Sequence, residues 1–245
     1  ILQEYYENRP NDMFINYAKQ YSDMPFVIML DEDENGYKAG RFLRASDLGM
    51  SGENNEWKPV IQDKLSQQLL VPNGTMGQRW EEGKKWNLKL ETEDGTPIDP
   101  MLSMVESDYH VETIQFPYFD SSGDGIFERP IATRTIQLAN GEKVKIATVY
   151  DLMTSQYGVQ RFEHELEATS YDDASSKYTP AWQEQITGIK KELVTKVAKE
   201  FAQDAIDTGG RSMIIMGAGI NHWFNSDTIY RSILNLVLLC GCQGV

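Results

Sequence analysis

The residues with the clearest capacity for chemistry lie in a short stretch near the end of the sequence. An apolar segment over residues 212–216, which is predicted to form a strand, runs into a glycine turn, and polar and aromatic residues follow directly. A glycine turn after a strand lets the backbone approach a ligand closely and presents N–H groups to a phosphate. An amide, an imidazole and an indole beside such a turn could hydrogen-bond a heterocycle and pack against it. The predicted cofactor-binding residues are Gly217, Ala218, Gly219, Asn221, His222 and Trp223.

The spacing of the glycines argues against a plain nicotinamide site. A full dinucleotide fingerprint requires a third glycine at the position that His222 occupies, and the helix after the turn is predicted to begin late, near Ser226 or Asp227. Two simpler interpretations stay open. The glycines could serve close packing alone, and His222 could simply hydrogen-bond a neighbouring loop.

Histidine and cysteine, which ligate zinc and iron–sulfur clusters, are few in this sequence, with three and two copies. Its two cysteines, Cys240 and Cys242, form a Cys-x-Cys pair that cannot fill a four-ligand zinc or iron–sulfur site by itself. Two cysteines are also too few for a disulfide framework, so reduced thiols in an intracellular protein are expected. The two cysteines therefore predict no complete metal site within these 245 residues, and no residue is singled out as catalytic.

The elements around the glycine turn follow the pattern of a parallel α/β fold. An amphipathic helix ending at residues 207–210 precedes the apolar segment, and an apolar helix over residues 227–239 follows the turn. We therefore expect an α/β fold with a doubly wound, mostly parallel sheet and a β-rich inserted segment. Residues 1–26 and 151–245 are assigned to the α/β cofactor-binding layer, cut short at its end, and residues 27–150 to the β-rich excursion.

Local signals predict several elements outside the glycine turn. Residues 1–26 have helical periodicity, interrupted near Pro10. Asn35-Gly36 predicts a hairpin, and residues 139–142 predict another between two β-branched runs. Thr179 and Pro180 are typical of a helix start, with the helix ending near Gly188.

The charge balance restricts the partners. The formal net charge is −14. Because nucleic acids are bound chiefly through Lys and Arg contacts to phosphate, nucleic acid is not expected as a partner. The longest apolar run, residues 233–240, is interrupted by Asn235 and is far shorter than a membrane-spanning segment of about 20 residues.

Several segments, taken in order, resemble one enzyme family. They are SDMPFVIML (22–30), GRFLRASDL (40–48), VPNGTMGQRW (71–80), FPYF (116–119), TVYDL (148–152), ATSYDD (168–173) and YTPAWQEQITG (178–188), with the densest similarity over residues 208–242. This sequence resembles the α subunits of respiratory nitrate reductases, within the dimethyl-sulfoxide-reductase family of molybdenum enzymes. It is identified as a central fragment of such a catalytic subunit.

The resemblance implies an oxidoreductase that reduces nitrate to nitrite by oxygen-atom transfer. Its cofactors would be bis-molybdopterin guanine dinucleotide with molybdenum and one 4Fe–4S cluster in the full subunit. Its partners would be an iron–sulfur β subunit and a membrane haem γ subunit, which would hold it at the cytoplasmic face of the cell membrane. The fragment itself is expected to bind no cofactor and to be inactive.

Two alternative functions remain open. One is a related molybdoenzyme with another substrate, such as chlorate or selenate. The other is a docking module for electron-transfer subunits that makes no contact with a cofactor.

Overall fold

A computed structural model describes residues 1–34, 36–74, 89–120 and 123–242. Asn35 of the first predicted hairpin and most of the segment at 71–80 lie outside these ranges. The chain divides into two compact units. One comprises Ile1–Ala18 and Thr169–Val245, and the other comprises Lys19–Ala168. The predicted division at residues 26 and 151 remains a prediction.

The second unit is built on a closed β-barrel. Its strands are β1 (Val27–Asp33), β2 (Gly36–Phe42), β5 (His110–Asp120), β6 (Gly123–Gln137) and β7 (Lys143–Thr148), and a separate two-stranded sheet holds β3 (Ile61–Gln62) and β4 (Leu69–Leu70). The barrel order is β1-β2-β5-β6-β7. Its neighbouring strands are antiparallel except β2 and β5, which pair in parallel at Tyr37 and Ile114.

Hairpins at the predicted turns make the strand pairs β1–β2 and β6–β7 antiparallel. Asp33 pairs with Gly36 across the β1–β2 turn, where Gly36 has a φ of 128°. Gln137 pairs with Lys143 across the β6–β7 turn, where Gly141 has a φ of 88°. These positive φ angles are easily reached by glycine, which lacks a Cβ. Both predicted hairpins are therefore confirmed.

The barrel unit encloses an aliphatic core. Buried side chains from three barrel strands meet others from the loops between β2 and β5. Burying such side chains contributes roughly 1.5–3 kcal/mol each, before conformational entropy is counted. The buried cluster contains Val27, Met29, Leu43, Ala45, Val60, Met104, Ala132 and Ile146.

The predicted fold class is wrong. The structure has a five-strand barrel with a few helices, in place of a doubly wound, mostly parallel sheet. A parallel sheet needs strand–helix–strand crossovers. In this chain β1 leads into β2, β5 into β6 and β6 into β7 without a helix between them. The strands of residues 27–150 thus pair with one another and form the main sheet themselves.

The helices follow their local signals more closely. They are α1 (Asp12–Tyr21), α2 (Val149–Gln156), α3 (Pro180–Thr187), α4 (Lys191–Thr208) and α5 (Ser226–Leu239), and Gln3–Asn8 forms a π-helix. The Thr179 hydroxyl caps α3 by accepting from Trp182 N at 3.1 Å, and Gly188 ends this helix with a φ of 73°. Helix α4 ends at Gly209 with a φ of 67°. In the described part of the chain, no helix is both long and apolar enough to span a membrane.

A buried ion pair joins three parts of the barrel unit. Arg161 Nη1 lies 2.9 Å from Asp151 Oδ1, and the Asp151 residue is 0% exposed, within α2. Asp151 also accepts from Ser103 Oγ at 2.6 Å and from Met104 N at 2.9 Å. Arg161 Nη2 donates to Ser103 Oγ at 2.5 Å. One carboxylate therefore links α2, the turn at residues 103–106 and the loop that carries Arg161.

A second buried carboxylate organises the Arg161 loop. Glu167 accepts backbone N–H bonds from Arg161 at 2.8 Å, Phe162 at 3.0 Å and His164 at 3.0 Å. A carboxylate surrounded by amide donors stabilises an irregular loop without regular secondary structure. Glu167 itself is buried.

Candidate functional site

The predicted cofactor-binding residues form one short turn ahead of α5. Gly217 has extended backbone angles, and Ala218–His222 form a 3-10 helix. Ile220 N donates to Gly217 O at 3.3 Å, and Trp223 N donates to Ile220 O at 3.2 Å. The first N–H groups of such a turn have no acceptor inside the turn itself. All six predicted residues thus lie together, on or beside this glycine turn.

The predicted strand before the glycine turn is wrong. Residues 211–217 have no regular secondary structure, and among the described residues no strand pairs with them. Met213 is 76% exposed and Ile215 is 83% exposed. An apolar pattern reports the surroundings that side chains prefer, but a strand also needs a hydrogen-bonded neighbour.

The two glycines of the turn stand in open space. A Cβ added at Gly217 or Gly219 would meet no atom of the described residues within 4 Å. Neither glycine has a positive φ. Close packing among the described residues therefore does not require glycine at either position, and backbone conformation does not require it either. The packing interpretation of the turn fails for the described residues.

Asn221 has a defined hydrogen-bond partner. The Tyr230 hydroxyl, on α5, donates to Asn221 Oδ1. This bond joins the glycine turn to the helix that follows it. The sequence analysis missed Tyr230, because one aromatic residue in the second turn of an amphipathic helix gives no signal that it contacts the preceding turn.

The ring-bearing residues of the site face solvent. His222 is exposed, and no bond to a neighbouring loop holds it among the described contacts. Trp223 is 70% exposed and Phe224 is 99% exposed. Exposed aromatic rings beside an open backbone turn can pack against a flat heterocycle. The turn can thus offer backbone donors, an amide, an imidazole and two rings to a ligand.

The far end of α5 is anchored within the same unit. The Tyr6 hydroxyl donates to Leu239 O at 2.8 Å. Gly241 follows with a φ of 63°, and a Cβ added to this glycine would lie 3.4 Å from Tyr17 Cγ. This packing fixes the helix whose beginning carries the glycine turn.

Burial makes Cys240 a poor nucleophile. It raises the pKa of the Cys240 thiol to about 12 and also raises the pKa of Cys242. Thiolates, not thiols, ligate metals and attack electrophiles. Among the residues described, no three His, Cys, Asp or Glu side chains are grouped so that they could hold a metal ion.

Cys240 is expected to resist alkylation by iodoacetamide at pH 8 in the folded chain. Because its folded pKa lies above the ordinary 9.0, the folded state holds the proton more tightly, and this contribution to stability declines as the pH rises from about 9 towards 12. Mass spectrometry of alkylated peptides measures the reaction. The same chain in denaturant should be alkylated at both cysteines, and rapid native labelling of Cys240 would contradict the assignment.

Comparison with known proteins shows that the chain is similar to the alpha chains of nitrate reductases. It is 52% identical over its whole length to the nitrate reductase alpha chain of Bacillus subtilis strain 168, and 40% identical to the respiratory nitrate reductase 1 alpha chain of Escherichia coli K12. It is 22% identical, over 92% of its length, to the perchlorate reductase subunit alpha of Dechloromonas aromatica. No protein-family profile matches the chain.

Over its whole length the chain matches one segment of nitrate reductase alpha chains, at 40–52% identity. It spans 20% of the length of the Bacillus and Escherichia relatives. The resemblance inferred from the ordered sequence segments is confirmed.

Proposed function

We propose that the full-length alpha chain containing this segment reduces nitrate to nitrite by oxygen-atom transfer, with this segment forming part of the wall around a molybdopterin guanine dinucleotide. The observation that supports the wall most directly is the open space beside Gly217 and Gly219. None of the described residues lies close enough to require glycine at either position. A ligand lying against the turn supplies that requirement.

The residues present fit a phosphate-bearing heterocyclic dinucleotide. The bound molybdenum cofactor supplies the redox chemistry, and the protein supplies binding and orientation. In this segment the backbone N–H groups at Ala218 and Gly219 donate to phosphate oxygens. Asn221 and His222 hydrogen-bond a ring edge, while Trp223 packs beside the ring and excludes water from one side. Neither proton transfer nor metal ligation is assigned to these residues.

The other components are proposed for the full-length protein. They are molybdenum with two such dinucleotides, a 4Fe–4S cluster, an iron–sulfur β subunit and a haem-bearing γ subunit that hold it at the cytoplasmic membrane face. We propose that the cluster and the metal ligands lie in other parts of that protein.

Perchlorate is an alternative substrate to nitrate, because one relative is a perchlorate reductase subunit. Its identity is 22%, against 40–52% for the Escherichia and Bacillus nitrate reductase chains. The higher identity supports nitrate over another oxyanion. Assays of the full-length enzyme with nitrate, chlorate, perchlorate and selenate separate these possibilities.

Asn221→Ala and His222→Ala in the full-length alpha chain are each expected to lower cofactor content by about three- to tenfold, as expected for one lost hydrogen bond. Guanine nucleotide released from purified protein measures that content. Asn225→Ala is the matched control. Asn225 directly precedes α5, and its side chain makes no capping hydrogen bond to that helix. Equal content in all three variants would favour the docking-module alternative.

The 245-residue chain alone is expected to show no nitrate turnover with a reduced dye. Its described residues contain no metal-ligating group, and its predicted cofactor contacts form one wall of a site. Nitrite release measures turnover, with the full-length enzyme as the positive control. Sustained nitrite production by the purified chain would overturn the proposed division of labour.

A further inference from the structure

Tyr230 determines how Asn221 can meet a ligand. A primary amide offers an oxygen that accepts and an NH₂ group that donates. In the structure the Tyr230 hydroxyl donates to Asn221 Oδ1. The amide oxygen is therefore engaged with α5, and the Nδ2 group is the end of this side chain that remains to donate to a ligand.

We infer that Tyr230 is a positioning residue that fixes the Asn221 amide, so that Asn221 donates to an acceptor oxygen of the bound dinucleotide. This inference rests on the proposed function, since it assigns a direction to one contact of the same wall. Without the hydroxyl, the amide could rotate and present either end, because the two ends have nearly the same shape. With the hydroxyl, Asn221 offers a donor to a carbonyl oxygen on the ring edge, while the backbone of the turn offers donors to phosphate oxygens.

The position of Tyr230 supports this role over a purely structural one. Asn221 and its bond to Tyr230 are exposed to solvent. An exposed neutral hydrogen bond contributes little to folding, because water replaces either partner. The turn is already joined to α5 by the backbone bond from Ser226 N to Trp223 O at 3.1 Å.

Tyr230→Phe in the full-length alpha chain is the test, because it removes the hydroxyl and keeps the ring. We expect its cofactor content to fall about threefold to tenfold, the effect of one misplaced hydrogen bond. In the Asn221→Ala background the same substitution should have no further effect. Tyr5→Phe, which removes an exposed hydroxyl that donates to Lys199 O at 3.5 Å, is the matched control and should retain full content.

The outcomes separate this inference from the proposed function. If Asn221→Ala lowers cofactor content while Tyr230→Phe leaves it unchanged, the positioning role is overturned and the wall stands. If neither variant has an effect and Gly217→Val has none, both are overturned. Losses that add in the double variant show that Tyr230 acts independently of Asn221, which also overturns the positioning role.

Discussion

Replacing Arg161 with Ala is expected to lower the free energy of unfolding of the barrel unit by about 3–5 kcal/mol. The substitution leaves the Asp151 carboxylate in a fully buried position without its cation. An unpaired buried charge is costly because it has lost water and gained no opposite charge in return. The loss should extend to the turn at Ser103, which Arg161 also contacts.

Hydrogen exchange of β1 and β7 amides across a denaturant series measures this change within the barrel. Arg41→Ala is the control, because Arg41 also makes a two-bond contact with a carboxylate, Asp47, but at the exposed surface. That variant should lose less than about 1 kcal/mol. Similar decreases in the free energy of unfolding of the two variants would contradict the view that burial makes the Arg161–Asp151 pair important for stability.

Replacing Gly217 with Val is expected to reduce the cofactor content of the full-length alpha chain by about ten- to hundredfold. Charge-assisted hydrogen bonds to phosphate contribute about 1.5–3 kcal/mol each, and a branched side chain at this position would hold the phosphate away from the backbone. The isolated chain should tolerate valine, since Gly217 is extended and no described atom lies within 4 Å of its Cβ position.

The Gly217 prediction has two internal controls. Gly219→Ala adds a smaller group to the same turn and should lose less cofactor than Gly217→Val. Gly125→Val lies in strand β6, where the nearest atom to its Cβ position is Tyr118 O at 3.8 Å, and it should retain the cofactor. Released guanine nucleotide per chain is the measurement. Full occupancy in Gly217→Val would show that no ligand lies against the turn.

Elements defined by neighbouring residues could be predicted from the sequence. Helix α3 begins after the Thr179 cap and ends at Gly188, as its own residues indicate. Helix α5 begins at Ser226 within one residue of the expected start. The hairpins follow from glycines that reach positive φ. Each signal operates over a few residues, so the surrounding fold hardly alters it.

The fold class could not be predicted, because it depends on which strands pair. Closure of the barrel requires β2 to pair with β5 at Tyr37 and Ile114. These residues are far apart in the sequence, and no local pattern predicts that they pair. Residues 212–216 have the composition of a strand but pair with no strand among the described residues. The doubly wound prediction was wrong because it inferred a paired strand from a local apolar pattern alone.

The candidate site was predictable in composition but not in geometry. The sequence identified Asn221 and His222 beside two glycines, and the structure places all of them at one exposed turn. It gave no sign that Tyr230 engages the Asn221 oxygen. It also could not tell whether the glycines served packing, which required knowing what surrounds their Cβ positions.

Hydrogen exchange of the full-length alpha chain, with and without its cofactor, tests the central claim most directly. Peptides covering residues 212–224 report on the glycine turn, and peptides covering β7 report on the barrel as a reference. Cofactor contact predicts slower exchange at residues 217–223 in the loaded protein, with β7 unchanged. Equal exchange at the turn in both states, with β7 equally protected, would contradict the assignment of this segment to the cofactor wall.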